Sequence, residues 1–228
     1  MERGAWSAER GKSAATGGWN PSGIFNLGAV ILAAGASTRM GRPKLLLPWK
    51  NTSILGHLIA RWRQLGARHI GVVYACGRGE IEAELDRLQF PVPNRIRNPQ
   101  PEQGMFSSIQ CAARWPQWET GLTHWAITLG DQPHVRLETL RQLLGWAAAH
   151  REAICQPARQ GRPKHPVLLP KSVFEQLPAT PAQNFRQFLQ SAPGHIQLCE
   201  SEDAGLDLDL DEPADYARAL EIFRNSDI

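Results

Sequence analysis

The apolar run at residues 29–34 sets the fold class more firmly than any other segment of this chain. Nearly all of its residues are apolar, which is typical of a strand covered on both faces rather than of a strand with one face in water. Similar runs follow at residues 70–75 and 124–129, and segments with helical periodicity lie between and after them, at residues 52–65, 80–88, 106–115 and 137–150. This alternation predicts an α/β fold with a largely parallel sheet. Ligands of such sheets bind beyond the carboxyl ends of the strands, so the residues that follow each strand are the first candidates for a site.

Length and composition indicate one globular domain with a short leader. Residues 28–228 are enough for a single core, whereas residues 1–27 are rich in Gly, Ser, Ala and Asn, and we expect them to be flexible. The net charge of +3, without a basic run, argues against nucleic acid as a partner. The sequence has no apolar stretch long enough for a membrane span. Its four cysteines form no CxxC pair, which favours free thiols and a cytoplasmic location.

A turn of small residues follows the first predicted strand and precedes two cations. The small residues from Ala33 to Gly35 let backbone N–H groups approach a ligand closely, and Arg39 and Lys44 follow them. Backbone donors beside fixed cations suit a triphosphate. The segment contains neither GxxxxGK[ST] nor GxGxxG, so it is not a P-loop or a dinucleotide fingerprint. A tight turn with solvated charges is the alternative interpretation.

Two acidic segments lie where a metal bound to phosphates would be expected. Asp131 follows the strand at residues 124–129, and its oxygens suit Mg²⁺, although a turn aspartate bonded to its own backbone is the alternative. Asp207, Asp209 and Asp211 alternate with leucines, so an extended segment would direct all three carboxylates to one side. A solvated acidic edge before the last helix is the alternative there.

Two further segments are candidates for binding an acceptor. Gly104, Ser107 and Ser108 lie at the start of a predicted helix, where free N–H groups and hydroxyls can bind an anion or can simply cap the helix. His165 lies in the loop at residues 161–167, either as a donor to a ligand or as a loop histidine satisfied by the protein.

Several of these segments resemble the motifs of the MobA-like nucleotidyltransferases. Residues 32–44 resemble LAAGxSxRMGxxK, residues 129–133 match LGDQP, residues 161–167 resemble GxxGHPV, and residues 209–216 resemble DIDTPEDY. The continuation at residues 44–49 is similar to the molybdenum cofactor cytidylyltransferase branch. The resemblance extends over roughly residues 28–225 and departs from the pattern at Lys164, where Gly is usual, and at Glu212, where Thr is usual.

The resemblance implies a three-layer sandwich with a mostly parallel, Rossmann-like sheet of the nucleotide-diphospho-sugar transferase type. It implies transfer of CMP from CTP to the molybdenum–molybdopterin cofactor, with Mg²⁺ as cofactor and a molybdoenzyme as a possible recipient of the product. Lys44, Arg39 and Asp131 would be catalytic, and Asp131 and Asp209 would bind the metal. The nucleotide would contact Leu32, Ala33, Ala34, Gly35, Arg39, Lys44, Asn98 and Ser107. The acceptor would contact Gly104, Ser107, Ser108, Gln132 and His165. Asp211 would be structural.

Three other functions remain open at this stage. Another transferase of the same fold would use GTP, a sugar phosphate or an isoprenoid precursor, and guanine-using relatives carry Leu-Ala-Gly-Gly where this chain has residues 32–35. A nucleotide-binding chaperone for a molybdoenzyme would keep the loops without needing both Asp131 and Asp209. An NAD(P)-dependent reductase would be expected to carry the GxGxxG fingerprint that is missing here.

Overall fold

The apolar run after Asn26 forms strand β1 (Leu27–Leu32), all of whose residues are buried. In this computed structural model, which describes residues 25–35, 40–192 and 194–224, β1 lies between β4 and β6 and runs parallel to both. The strand ends at Leu32, so Ala33 and Ala34, which we expected to be its last residues, begin the loop that follows. The expected leader falls largely on residues 1–24, outside the described residues, and the single-domain assignment stays a prediction.

The described part of the chain contains an eight-stranded sheet and a separate two-stranded hairpin. Across the sheet the strands follow the order β10, β7, β9, β6, β1, β4 and β5, and β8 pairs with β7. The remaining strands are β2 (Pro48–Trp49), β3 (Thr52–Ser53), β4 (His69–Ala75), β5 (Arg95–Asn98), β6 (His124–Leu129), β7 (Ile154–Arg159), β8 (Arg162–Pro163), β9 (Val167–Pro170) and β10 (Ile196–Glu200). Because β9 is antiparallel to both β6 and β7, and β8 to β7, the sheet is mostly rather than wholly parallel.

Helices cover both faces of the sheet, which gives the expected three layers. The helices are α1 (Ile54–Gln64), α2 (Gly79–Arg87), α3 (Met105–Arg114), α4 (Leu137–Ala149), α5 (Lys171–Phe174), α6 (Phe185–Ser191) and α7 (Pro213–Arg224). One core contains the buried side chains of α1, α2, α4 and α7 together with Ala29 and Ile31 of β1. The other contains those of α3, α5 and α6 together with Val30 and Leu32. The alternation of β1 side chains between the two cores confirms that this strand is covered on both faces.

Local capping differs from the sequence expectation at the start of α1. The residue that caps the helix is Ser53, whose hydroxyl accepts a hydrogen bond from the backbone N–H of Gly56 at 3.0 Å. Thr52, which we expected to be the cap, pairs with Trp49 in the β2–β3 hairpin. Both residues have hydroxyls, so the sequence alone did not distinguish them. Within the described residues, the helices are all too short or too polar to cross a membrane.

Candidate active site

The loop after β1 lies at the carboxyl edge of the sheet. The backbone N–H of Ala33 donates to the carbonyl of Val73 at 2.7 Å, so the loop continues the pairing of β1 with β4 for one more residue. Ala33 is buried, whereas Gly35 is exposed and open to a ligand. Arg39, which we expected to contact the phosphates, lies with residues 36–38 outside the described residues.

A small cleft opens beside this loop, lined by Ala33, Gly35, Pro43, Leu45, Arg78, Glu80 and Ile81. Arg78 and Glu80 were not among the residues selected from the sequence. They follow β4 at the same edge as the loop after β1, so the rule that ligands bind beyond strand ends would have indicated them. No recognisable motif marks them, and for that reason the sequence reasoning missed them.

Lys44 lies between two carboxylates. It belongs to a 3-10 turn, Lys44–Leu46, and its Nζ is 2.7 Å from Asp131 Oδ2 and 3.6 Å from Asp211 Oδ1. The side chains of Lys44 and Asp131 are only 15% and 20% exposed, so their charges are poorly screened by solvent. Phosphate oxygens entering this position would compete with the two carboxylates for the ammonium group.

Gly130 allows the loops after β1 and β6 to approach each other. A Cβ at this position would lie 2.6 Å from the carbonyl oxygen of Leu32 and 2.8 Å from a methyl group of Leu45. A side chain of any size would therefore separate the two loops. The close approach brings Asp131, the next residue, to the end of β1 and to Lys44.

The acidic segment at residues 207–211 has the alternation that the sequence predicted. Leu208 and Leu210 are buried, whereas Asp207 and Asp209 are exposed. The backbone N–H of Leu210 donates to the carbonyl of Asp131 at 3.3 Å, and Gln132 Nε2 donates to Asp209 Oδ1 at 2.9 Å. These contacts bring the segment against the loop after β6. Gln132, which we expected to contact the acceptor, is buried and directs its amide at Asp209.

Asp131 and Asp209 fit a magnesium ion that also binds phosphates. Mg²⁺ is commonly held by one or two carboxylates, with waters and phosphate oxygens completing its coordination. In the described ranges, no group of three or more His, Cys, Asp and Glu side chains is arranged to hold a metal by itself. A site made of Asp131 and Asp209 would therefore be completed by its nucleotide.

Asn98 links the end of β5 to the start of α3. Its Nδ2 donates to the hydroxyl oxygens of Ser107 and Ser108, both at 2.9 Å, and the residue is fully buried. Ser107 Oγ is in turn 2.8 Å from the carbonyl of Gly104 and 3.1 Å from that of Gln100, the possible acceptors of its proton. The position before the helix is occupied by Gly104, with φ of 84° and no side-chain cap. The alternative that the serines cap the helix is therefore wrong.

His165 lies beside β6, where its Nδ1 is 3.5 Å from the carbonyl oxygen of Ile127. Burial lowers the pKa of its imidazole, while the carbonyl of Ile127 and the carboxylates of Asp131 and Asp209 partly offset that effect. The ring is therefore neutral at pH 7 and can act as a hydrogen-bond donor or acceptor. Lys164, the departure from the family pattern, pairs through its Nζ with Asp207 Oδ1 at 2.7 Å.

The structure brings the sequence-selected residues together in two groups. Lys44, Asp131, Gln132, Asp209 and His165 lie around the carboxyl ends of β1 and β6. The other group, Asn98, Ser107, Ser108 and Gly104, lies at the end of β5 and the start of α3. The parallel pairing of β5, β4, β1 and β6 puts both groups at the same edge of the sheet.

Comparisons with known proteins agree with the motif resemblance found in the sequence. Residues 29–196 match the model of the MobA-like NTP transferase domain. The chain is 33% identical over 193 residues to molybdenum cofactor cytidylyltransferase of Escherichia coli, covering 84% of this chain and 94% of that protein. The structure of Rv0371c from Mycobacterium tuberculosis superposes with a TM-score of 0.66 at 25% identity, covering 86% of this chain and 98% of that one. A manganese complex of Rv0371c superposes with a TM-score of 0.59 at 23% identity, with the same coverage.

Proposed function

This chain belongs to the MobA-like NTP transferase domain family and is a nucleotidyltransferase of molybdenum cofactor biosynthesis, and from that premise we propose the reaction that it catalyses. It transfers CMP from CTP to the molybdenum–molybdopterin cofactor and releases pyrophosphate. The observation that carries this proposal is the cluster of Lys44, Asp131 and Asp209 at one edge of the sheet. It combines a cation for phosphates with two carboxylates for a metal.

The reaction needs positioning and charge neutralisation rather than a strong base. An oxygen of the acceptor's phosphate attacks the α-phosphorus of CTP, and the bond from that phosphorus to the bridging oxygen of the β-phosphate breaks. The attacking oxygen is already anionic, so no proton has to be removed from it. Negative charge grows on the α-phosphate and on the departing pyrophosphate, where fixed cations are most effective.

Lys44 and Arg39 supply the protein's cations at this point. Lys44 exchanges its contacts with Asp131 and Asp211 for phosphate oxygens when CTP binds. The exchange leaves the Asp131 carboxylate available to a metal. Small residues from Ala33 to Gly35 let backbone donors reach the same phosphates.

Asp131 and Asp209 would hold Mg²⁺, which supplies further positive charge to the phosphates when it is bound. The manganese complex of Rv0371c concerns that protein, and it supports a divalent metal in this family. In this chain the Gln132 amide donates to one Asp209 oxygen and would fix the direction of that ligand, beside the acceptor contact proposed for Gln132.

Asn98, Ser107, Ser108, Gly104 and His165 would bind the acceptor and the adjoining part of the nucleotide. The Asn98 amide holds both serine hydroxyls, which keeps them in one orientation. Neutral His165, near Asp131 and Asp209, would contact the acceptor without adding charge.

A molybdoenzyme would receive the product. All four thiols, which lie in the described residues, are free, in agreement with a cytoplasmic location.

A panel of acceptors tests the proposal against other transferases of this fold. The protein is incubated with CTP, Mg²⁺ and one acceptor at a time, namely purified molybdenum cofactor, a hexose 1-phosphate or an isoprenoid-precursor phosphate. We expect pyrophosphate only with the molybdenum cofactor. Pyrophosphate formed with a different acceptor would overturn the acceptor assignment. Binding of CTP without release of pyrophosphate from any acceptor would instead favour a nucleotide-binding chaperone.

A further inference from the structure

An ion-pair cluster outside the reacting groups joins two segments of the site. Asp207 ends the 3-10 turn Ala204–Asp207, two residues before Asp209. Its Oδ1 is 2.7 Å from Lys164 Nζ, and its Oδ2 accepts a hydrogen bond from Arg159 Nη1. Arg159 is the last residue of β7, and Lys164 directly precedes His165. One carboxylate therefore connects the segment that carries Asp209 with the hairpin that carries His165.

Each segment is also attached to the sheet by its backbone. The N–H of Lys164 donates to the carbonyl of Pro157, and the N–H of Ser201 donates to that of Ala158, both at 2.8 Å. These bonds fix the hairpin and the chain after β10 to β7, and the N–H of Leu210, next to Asp209, donates to the carbonyl of Asp131 at 3.3 Å. The side-chain contacts of Asp207 add a direct link between the two segments. They are therefore placed to fix the relative position of His165 and Asp209.

The exposure of the cluster indicates a geometric role more than a stabilising one. Lys164, Arg159 and Asp207 are 24%, 23% and 40% exposed, and ion pairs in such positions contribute about 0–1 kcal/mol to stability.

We propose that Asp207, bridged by Arg159 and Lys164, is a positioning residue that holds Asp209 and His165 in one geometry for reaction with the acceptor. This inference rests on the proposed function for the roles of Asp209 and His165. Asp209 is held from the other side by Gln132. Loss of the Asp207 contacts would remove the side-chain link between the acidic segment and the hairpin, while the backbone bonds of each segment and the contact between Lys44 and Asp131 would remain.

The test is Asp207→Asn in the full chain, which preserves side-chain size and removes the charge. We expect the kcat/KM for the acceptor to fall about tenfold, because small displacements of reacting groups are costly, with the KM for CTP within about twofold and a nearly unchanged melting temperature. Amide hydrogen exchange in residues 204–211 should become faster, with or without substrates. Asp207→Glu should restore part of the loss. Lys164→Met, which leaves Arg159 in place, should have a smaller effect of the same kind.

Glu119→Gln is the matched control. It breaks a 2.6 Å ion pair with Arg68, in which the carboxylate is 38% exposed, near the amino ends of β4 and β6. It should change neither acceptor kinetics nor exchange in residues 204–211. Unchanged exchange and kinetics in Asp207→Asn would overturn the proposal. A large fall in melting temperature for both Asp207→Asn and Lys164→Met would also overturn it, in favour of a general structural role. If the wild-type protein transferred no nucleotide, the proposed function would fail, and hydrogen exchange alone would decide whether Asp207 positions these segments.

Discussion

The negative charge of a single residue, Asp131, should be required for turnover but not for folding. Its carboxylate contacts Lys44 and lies at the end of β6, partly exposed rather than packed in a core. We therefore predict that Asp131→Asn lowers kcat by roughly 10²-fold or more, since it removes preorganised charge at the phosphates, and leaves the melting temperature nearly unchanged. Steady-state pyrophosphate release measures the effect. Asp86→Asn, which breaks an exposed ion pair with Arg95, is the control. Near-normal turnover of folded Asp131→Asn would remove this residue from the site.

Lys44 and Arg42 are two cations of the same loop with different surroundings. Lys44 is 15% exposed and contacts two carboxylates, whereas Arg42 is exposed to solvent. We predict that Lys44→Ala weakens CTP binding and slows transfer by about 2 kcal/mol or more, because it removes a charge-assisted contact with little solvent around it. Arg42→Ala should have a much smaller effect. Titration calorimetry with CTP and kcat/KM measure both variants, and a larger loss in Arg42→Ala would show that the phosphates lie elsewhere.

His165 and Ser107 should affect the acceptor more than the nucleotide. Both offer neutral donors at the carboxyl edge of the sheet, and neither contributes charge to the triphosphate. We predict that His165→Ala and Ser107→Ala each raise the KM for the molybdenum cofactor several-fold more than that for CTP, as expected for loss of one or two hydrogen bonds. Ser191→Ala, which removes a hydroxyl bonded to Phe188 at the end of α6, is the control. Equal KM values for the acceptor in all three variants would exclude both residues from its binding.

At the scale of elements, strand β6 carries a buried histidine at its start. His124 is 3% exposed, its Nε2 is 3.0 Å from the carbonyl of Arg151, and burial lowers its pKa to about 4 from the usual 6.5. Between pH 6.5 and pH 4 the unfolded chain therefore binds more protons at this site than the folded chain does. The free energy of unfolding decreases as the pH falls through that window, and the contribution of His124 is fully retained above it. We predict a loss of up to about 3 kcal/mol in the free energy of unfolding by pH 4 from this residue.

Urea denaturation at a series of pH values measures this loss. His124→Gln keeps an amide that can donate to the carbonyl of Arg151. It should reduce the slope of the free energy of unfolding against pH by up to the amount that one bound proton contributes. Burial also lowers the pKa values of His134 and His165, so a residual slope of the same sign remains. An equal slope in wild type and His124→Gln would contradict the assignment.

The elements that the sequence predicted well are those with one dominant signal. The wholly apolar β1 could be predicted because a strand buried on both faces has no polar alternation. The direction of β9 could not be predicted, because an apolar run such as Val167–Pro170 has the same pattern in a parallel and an antiparallel pair. The cap at Ser53 rather than Thr52 depends on a backbone conformation that two adjacent hydroxyl residues do not distinguish.

Side-chain pairs between distant segments were the least predictable part of the site. Motif resemblance selected Asp131 and Asp209, and the structure brings their segments together. It did not indicate that Gln132 faces Asp209, or that Lys164 pairs with Asp207. Such pairs depend on how the closing segment folds back over the sheet, which neither periodicity nor local spacing encodes.

At the scale of the whole molecule, the site depends on the first and last parts of the chain meeting at one edge of the sheet. In the proposed site, the loop after β1 would supply backbone donors and Lys44, the loop after β6 would supply Asp131, and the segment before α7 would supply Asp209. The backbone bond between Leu210 and Asp131 joins these parts. We therefore expect residues along the whole edge to affect nucleotide selection, because the base would fit beside the loop proposed to hold the phosphates.

In the proposed reaction, the backbone at Ala34 would approach the nucleotide, and its methyl group and restricted φ would leave less room there than a glycine. We therefore expect a pyrimidine to fit better than a purine. One methyl group distinguishes ligands by only about 1–3 kcal/mol, so other base contacts must add to it. Arg78 and Glu80 line the cleft beside the loop.

Pyrophosphate release with CTP and with GTP, on the same purified molybdenum cofactor, tests cytidylyl transfer most directly. We predict that kcat/KM is roughly 10-fold to 200-fold higher for CTP than for GTP, the range expected from small steric differences in a binding site. Ala34→Gly should lower the ratio of kcat/KM for CTP to kcat/KM for GTP. The melting temperature of this variant checks that it is folded. Equal values or a preference for GTP would contradict cytidylyl transfer, and no pyrophosphate with any nucleoside triphosphate would contradict nucleotidyl transfer to this acceptor.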